Sequence, residues 1–380
     1  MAAGESQSRP LSIYVHLPWC VRKCPYCDFN SHPLKGTLQE ADYVDALLRD
    51  FDTQRHRLND RHIESVFFGG GTPSLFSADA FAQVLDRLQP FFSKSVEITL
   101  EANPGTAEYH SLRGYHDIGI NRLSLGAQSF DDVQLQRLGR IHDAAEIVSS
   151  YAKAREAGFS NINLDLMYGL PEQTSAGARS DLTAAIALAP EHISWYQLTL
   201  EAKTEFARRP PILPVDATLA EIENDGYARL AGAGFERYEV SAFAQPGRQC
   251  RHNVNYWSFG DYLGIGAGAH GKLTTQTAPH FGVVQRCVKP SQPRLYLADP
   301  GAESLTTVAP NQLPGEFMLN ALRLAGGVAL ERFEARTGLP LTALEPARCA
   351  QIADGLLQAG RLAATPRGYA VLDSLIQEYF

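Results

Sequence analysis

Residues 14–29 read YVHLPWCVRKCPYCDF, and the rest of the chain is best read outward from them. Cys20, Cys24 and Cys27 stand in C-x3-C-x2-C spacing directly after the apolar run Ile13, Tyr14 and Val15. Cubane iron–sulfur clusters are normally held by four cysteines. Three thiolates this close can hold three corners, which leaves one iron open to a ligand from outside the protein. The spacing has rivals. A zinc site usually completes a tetrahedral set with a second cysteine pair or a histidine pair, whereas Cys250, Cys287 and Cys349 stand singly. Three unrelated buried or surface cysteines are the plain alternative.

The chain has 380 residues, 44% hydrophobic and 20% charged, with a formal net charge of −8. That length points to two domains and a sizeable core. An acidic chain is poorly suited to capturing a nucleic-acid backbone, so no nucleic-acid partner is expected. No long uncharged apolar run reads as a membrane span, and the start MAAGESQSRP lacks the apolar core of a secretory signal. Six cysteines in so long a chain do not make a disulfide scaffold. Reduced thiols and an oxygen-sensitive cluster fit a cytoplasmic location.

Strand-like runs alternate with helical patterns on either side of the cysteines. LSIYVHL, IESVFF, VEITLEA, NRLSLGAQ, NINLDLMYGL and HISWYQLTL are each followed by a helical segment, the first three over residues 43–51, 80–92 and about 109–117. This alternation predicts right-handed βαβ units and a parallel sheet. Six units make an α/β fold, an open parallel (β/α)6 partial TIM barrel, with its ligand site at the carboxyl ends of the strands. A proline-rich stretch at residues 208–214 interrupts the rhythm. A helix over 219–230 and one more strand, ERYEVSAFA on the open side, follow. Residues 1–10 read as a disordered tail, 11–273 as the barrel with its extension, and 274–310 as a connecting segment. Helices near 316–324, 330–336 and 347–357, then a hairpin in RLAATPRGYAVLD, predict a smaller α-rich, winged-helix-like domain over 311–380 that caps the barrel.

Polar residues fall where those strands end. Gly69, Gly70, Gly71, Thr72 and Pro73 follow the second strand, and glycines let backbone groups approach a small polar ligand without a Cβ in the way. Glu101 ends the third strand and can accept from an ammonium or hydroxyl. Gln128 ends the fourth, and Arg140 offers a planar fork suited to a carboxylate. Asp165 is flanked by apolar residues, a costly place for a carboxylate with no partner. Taken singly, each of these is more often a turn, a cap or a surface ion pair.

Together, the cysteine loop and these residues resemble the radical S-adenosylmethionine (radical SAM) superfamily, in particular the group that holds HemN and HemW proteins. The resemblance implies a [4Fe–4S] cluster on Cys20, Cys24 and Cys27, with SAM on its open iron. It implies that Gly70, Gly71 and Thr72 receive the methionyl amino group and that Arg140 grips the carboxylate. Glu101, Gln128 and Asp165 are its further SAM contacts, the last to the ribose, and Tyr14 and Tyr26 its aromatic ones. In this superfamily the reduced cluster sends an electron into the sulfonium, which yields a 5′-deoxyadenosyl radical, so an electron donor is an expected partner. Two features separate members of the group. The coproporphyrinogen dehydrogenase branch resembles C-x3-C-x2-C-x-C, and here the last position is Phe29. The stretch Cys250, Arg251, His252, Asn253, Val254, Asn255, Tyr256, Trp257 carries the H-N-x-x-Y-W signature of the haem-chaperone branch. An imidazole can ligate haem iron and aromatic rings can stack on a porphyrin, so His252 is the expected haem ligand, with Cys250 and His270 as rivals. A core histidine in an aromatic cluster is the plain reading. The resemblance therefore implies a haem chaperone that passes haem to an acceptor haemoprotein, with an oxygen-independent coproporphyrinogen III dehydrogenase as the alternative.

Overall fold

A computed structural model of the chain describes residues 10–106, 111–275 and 282–380. The tail expected over residues 1–10 lies outside them except for Pro10, as does the start of the helix expected near 109–117.

The strands β1 (Leu11–Leu17), β2 (Ile63–Gly70), β3 (Phe92–Ala102), β4 (Arg122–Gln128), β5 (Ile162–Tyr168) and β6 (His192–Gln197) lie side by side in chain order. Every neighbouring pair among them is parallel. Their positions are mostly buried because the sheet is covered on both faces, β1 at six of seven, and the buried set includes the polar residues Ser12, Ser65, Glu97, Thr99, Ser124 and Asn163. Helices fill the crossovers, and their apolar stripes explain where they sit. In Ala78–Leu88, residues Ala80, Phe81, Val84, Leu85 and Leu88 form one buried face. Ser77 caps that helix, its hydroxyl accepting from the Ala80 amide. The helix Ala144–Ala157 starts on a reciprocal Asp143–Glu146 capping box and stops at Gly158, whose φ is 106°.

The sheet does not close. On the β6 side, ERYEVSAFA divides into β7 (Glu236–Glu239) and β8 (Ala242–Ala244); β8 runs antiparallel to β6 and carries β7 outside it. On the β1 side, β9 (Asp261–Ile265) adds a seventh parallel strand. Three antiparallel strands follow it: β10 (His270–Thr274), β11 (Val284–Val288) and β12 (Ser304–Thr307). Residues 274–310, which read as a connection, thus contain two sheet strands and the short helix Pro293–Ala298.

Buried ion pairs clamp this added edge. Lys289 meets Asp50 at 2.7 Å with both side chains fully covered, and Asp50 also accepts from the Gly266 amide and the Tyr296 hydroxyl. Asp261 takes Arg61 at 2.7 Å and Lys272 at 3.2 Å. Removing one member of such a pair strands a charge, at a cost of about 3–5 kcal/mol.

The C-terminal region is helical, with Leu313–Ala321, Glu331–Thr337, Ala347–Ala353 and Leu372–Gln377 around a core of their own. The expected hairpin is reduced to a bridge between Leu357 and Ala364, after which the chain turns helical. A bridge from Glu239 to Leu324 ties this region to β7. Among the described residues, no helix is long and apolar enough to cross a membrane.

Candidate functional site

A cleft of about 690 Å³ opens at the carboxyl ends of the parallel strands. Cys20, Cys24, Tyr26, Cys27, Gly70, Gly71, Thr72, Glu101, Gln128, Arg140 and Asp165 all line it. Side chains spread over 146 positions of sequence therefore meet in one place. Two expected contacts do not line it. Tyr14 lies behind Gly69, its hydroxyl donating to His16 Nδ1 at 3.0 Å while Nε2 of that ring donates to the Asn30 carbonyl; a Cβ on Gly69 would stand 3.1 Å from the Tyr14 ring. His252 lies deeper.

The cysteine loop and the glycine turn are laced by main-chain hydrogen bonds. The Gly71 amide donates to the Leu17 carbonyl at 2.8 Å and the Thr72 amide to the Trp19 carbonyl at 2.7 Å. A Cβ on Gly71 would sit 2.5 Å from that Trp19 oxygen, so only glycine lets the two segments approach. Gly70 has φ 120°, and its amide donates to Glu101 Oε2 at 3.1 Å.

Burial pushes the Cys20 and Cys27 thiols above their ordinary pKa. Hydroxyl contacts from Thr72 and Ser31 work the other way at Cys20, as does Ser31 at Cys27. Arg140 donates from Nη2 to the Gly126 carbonyl at 2.8 Å, and its Nη1 lies 3.7 Å from Cys24 Sγ. Its buried Nε has no hydrogen-bond partner. Among the described residues, no three His, Cys, Asp or Glu side chains gather tightly enough to hold a single metal ion. The thiolates of a cubane stand farther apart than those of one tetrahedral ion, whose metal–sulfur bonds are about 2.3 Å. The three thiols share one cleft wall, beside a cation with a donor to spare. That donor set fits an anionic iron–sulfur cluster together with a carboxylate-bearing ligand.

The acids opposite are unusual. Burial raises Glu101 from its ordinary value to about 8, and the nearby Asp165 charge adds to the shift; the Gly70 amide and Arg122 only partly offset it. Asp165 is raised by burial too, although Asn163 and Ser124 donate to it at 2.8 and 2.9 Å. Gln128 follows an irregularity in the β4–β5 pairing after Leu125, with φ 70°. A non-glycine residue there costs about 1 kcal/mol, and such an irregularity re-aims the side chain it carries. The Tyr196 hydroxyl holds it, donating to Gln128 Oε1 at 2.8 Å. Two acids and an amide thus offer acceptors to a ligand with amino or hydroxyl groups.

The helix Arg251–Trp257 carries the H-N-x-x-Y-W residues and plugs the barrel from below. Its His252 ring sits 5.1 Å from that of Phe67 and 6.2 Å from that of Tyr14, with Nδ1 3.4 Å from Ser65 Oγ. Burial, with the Arg122 charge, lowers His252 to about 4, so the imidazole is neutral. Cys250 is fully buried near Glu97, and burial raises it to about 12. The end of this helix does reach the cleft: Trp257 lines it beside Arg323 and Ser241. Sequence reasoning missed Arg323, which lies in an unremarkable helical pattern far from every motif.

A Radical SAM superfamily model matches residues 14–180, and a HemN C-terminal domain model matches 308–371. The chain is 50% identical over 342 residues to a protein of Haemophilus influenzae named "Heme chaperone HemW", covering 88% of each. It is 45% identical over 372 residues to a protein of the same name from Escherichia coli, covering 97% of each. The chain belongs to the HemW family of radical SAM proteins. A Bacillus subtilis relative of that name is 32% identical over 352 residues, covering 90% of this chain and 91% of its own length. Among solved structures, coproporphyrinogen III oxidase (HemN) of E. coli superposes with a TM-score of 0.79 at 21% identity, covering 98% of this chain and 90% of that one. That likeness concerns the fold.

Proposed function

We propose that the chain is a haem chaperone: it binds haem, carries a SAM-ligated [4Fe–4S] cluster and hands haem to an acceptor haemoprotein. The observation that carries this reading is the near full-length match, at 45–50% identity, to proteins named as haem chaperones.

Cys20, Cys24 and Cys27 would hold the cluster, whose bound form supplies an electron for reductive chemistry on SAM. Each other residue has a task of binding or screening. Gly70 and Gly71 present a wall without side chains to the amino end of SAM, and Thr72 continues it with a hydroxyl turned to Cys20. Arg140, with its Nη1 near Cys24 and its Nε unsatisfied, neutralises the SAM carboxylate. Asp165 takes the ribose hydroxyls, and Glu101 and Gln128 accept from the remaining donors. Tyr26 shields the loop from water, packed against Leu138, Met167 and Leu198. Tyr14 acts from behind, its ring backing Gly69.

For the haem iron, His252 is the proposed ligand. Its imidazole is neutral, the form that binds metal, but only 8% of the residue is exposed, so its ring must leave Ser65 and Phe67 to reach the iron. Phe29, 61% exposed on the cleft rim where the dehydrogenase branch has a cysteine, argues against porphyrinogen decarboxylation. The reduced thiols of the site are suited to the cytoplasm.

The test is a haem titration of the reconstituted protein, followed by mixing with an apo-globin. A saturable Soret change that His252→Ala weakens, and haem passing to the globin, are expected. No Soret change, or formation of protoporphyrinogen from coproporphyrinogen with SAM and reductant, would overturn the reading.

A further inference from the structure

The part of the cleft wall built by Ser241, Trp257 and Arg323 has no place in the SAM site just described. Arg323 follows the helix Leu313–Ala321, so the C-terminal region delivers a cation to a cleft whose other walls belong to the barrel. Its guanidinium carbon stands 4.5 Å from the centroid of the Trp257 ring. A cation this close to the ring is held by its face, and the guanidinium keeps N–H donors for other partners.

Two donors here are unsatisfied. Arg323 Nε and Trp257 Nε1 are both buried, and neither has a hydrogen-bond partner. An orphaned buried donor costs about 1–3 kcal/mol, so two side by side on a cleft wall need a reason. The nearby acid does not supply one. Glu239 feels the Arg323 charge, yet the hydrogen bonds of its carboxylate go to the Ser241 amide at 3.0 Å and the Ser241 hydroxyl at 3.3 Å. Burial raises the Glu239 pKa, which limits how far it can serve as a permanent counter-ion. The Arg323 backbone, by contrast, is pinned: its carbonyl accepts from the Tyr369 hydroxyl at 2.7 Å. A rigidly based guanidinium with an indole N–H beside it matches one ligand group well, a carboxylate that takes two parallel N–H donors.

We propose that Arg323 and Trp257 form a carboxylate-anchoring subsite, and that the group it takes is a propionate of the haem. This rests on the haem-chaperone reading and adds to it how the porphyrin is oriented: one acid edge on the C-terminal region, the ring lying across the cleft. The Tyr256–Trp257 pair then has separate duties. Tyr256 packs inward on Tyr262 with ring centres 5.1 Å apart, and Trp257 faces the ligand.

The experiment compares haem with haem dimethyl ester, in which both propionates are blocked, by Soret titration of the reconstituted full-length protein. The wild type should bind haem at least about tenfold more tightly than the diester, the worth of one charge-assisted hydrogen bond. Arg323→Gln should erase that preference by weakening haem alone, and Trp257→Phe should reduce it. Unchanged iron content and melting temperature would certify each variant as folded, and the wild-type comparison needs no variant. Equal wild-type binding of acid and diester would overturn the subsite while leaving the chaperone reading in place. So would an Arg323→Gln variant that keeps the full preference. Wild-type protein that binds neither compound would remove the chaperone reading and the subsite with it.

Discussion

Glu97 and Glu101 stand on the same strand, β3, and face the same interior, yet they live in different chemistry. Glu97, at the floor, accepts from the Arg251 amide at 2.8 Å, the His252 amide at 3.4 Å and the Cys250 thiol at 3.5 Å. Around it, His192 bonds to Asn163 at 2.6 Å and to Tyr238 at 2.8 Å. Glu101, at the mouth, accepts from the Gly70 amide, feels the Asp165 charge and lines the open cleft with it. The floor uses Glu97 to seal a plug, and its unpartnered Arg122 Nε and Asn255 Oδ1 are shut inside; at the mouth the unpartnered Arg140 Nε belongs to a residue that lines the cleft. Buried polarity alone does not mark a functional site. The mark is polarity left incomplete beside an opening.

That contrast can be broken in several ways, and the largest effect belongs to the cysteines. Cys24→Ser should abolish iron binding after anaerobic reconstitution while leaving the far-ultraviolet spectrum unchanged; iron retained at the wild-type level would erase the distinction. Next come the two glutamates. Glu97→Ala orphans several donors in a sealed floor and should cost about 3 kcal/mol in urea unfolding. Glu101→Gln should cost far less stability, while weakening SAM binding, read by calorimetry, about tenfold. Equal effects of both substitutions on stability would show that mouth and floor are built alike.

A smaller effect sharpens the point. The Glu101 pKa rises from 4.5 unfolded to about 8 folded. The folded protein therefore binds this proton more tightly, and its contribution is complete below about 4.5 and lost as pH climbs to about 8. Glu101→Gln lacks that loss, so the stability of the variant relative to wild type should grow across this window. A flat difference would mean that Glu101 is ionised throughout.

Much of this was legible in the chain. Six parallel strands could be read because each is a short strand-like run followed by a helical pattern, the alternation that βαβ units demand. The cysteine spacing and the glycine turn were legible as motifs, and Glu101, Gln128 and Asp165 because they lie at or near the ends of strands; Arg140, in the loop between the helices Asp132–Arg137 and Ala144–Ala157, was legible through the family resemblance. Other features were not. The strand Ser304–Thr307 is exposed at every position, as an outer edge can be, and so shows no alternation. Tyr14 alternates inward like a site residue, but Gly69 comes between it and the cleft. His252 shares a helix with Trp257, and only the fold reveals that one end packs inside while the other reaches the opening. Arg323 arrives from a separate region, and no local pattern marks a residue whose role depends on where two regions meet.

The most direct test of the central claim, that the mouth holds an incompletely ligated cluster, is electron paramagnetic resonance of the reconstituted, reduced protein with and without SAM. The expected result is the signal of a reduced [4Fe–4S] cluster whose shape changes when SAM is added, with a smaller change in Arg140→Ala. A protein that takes up no iron, or a cluster signal indifferent to SAM, would contradict it.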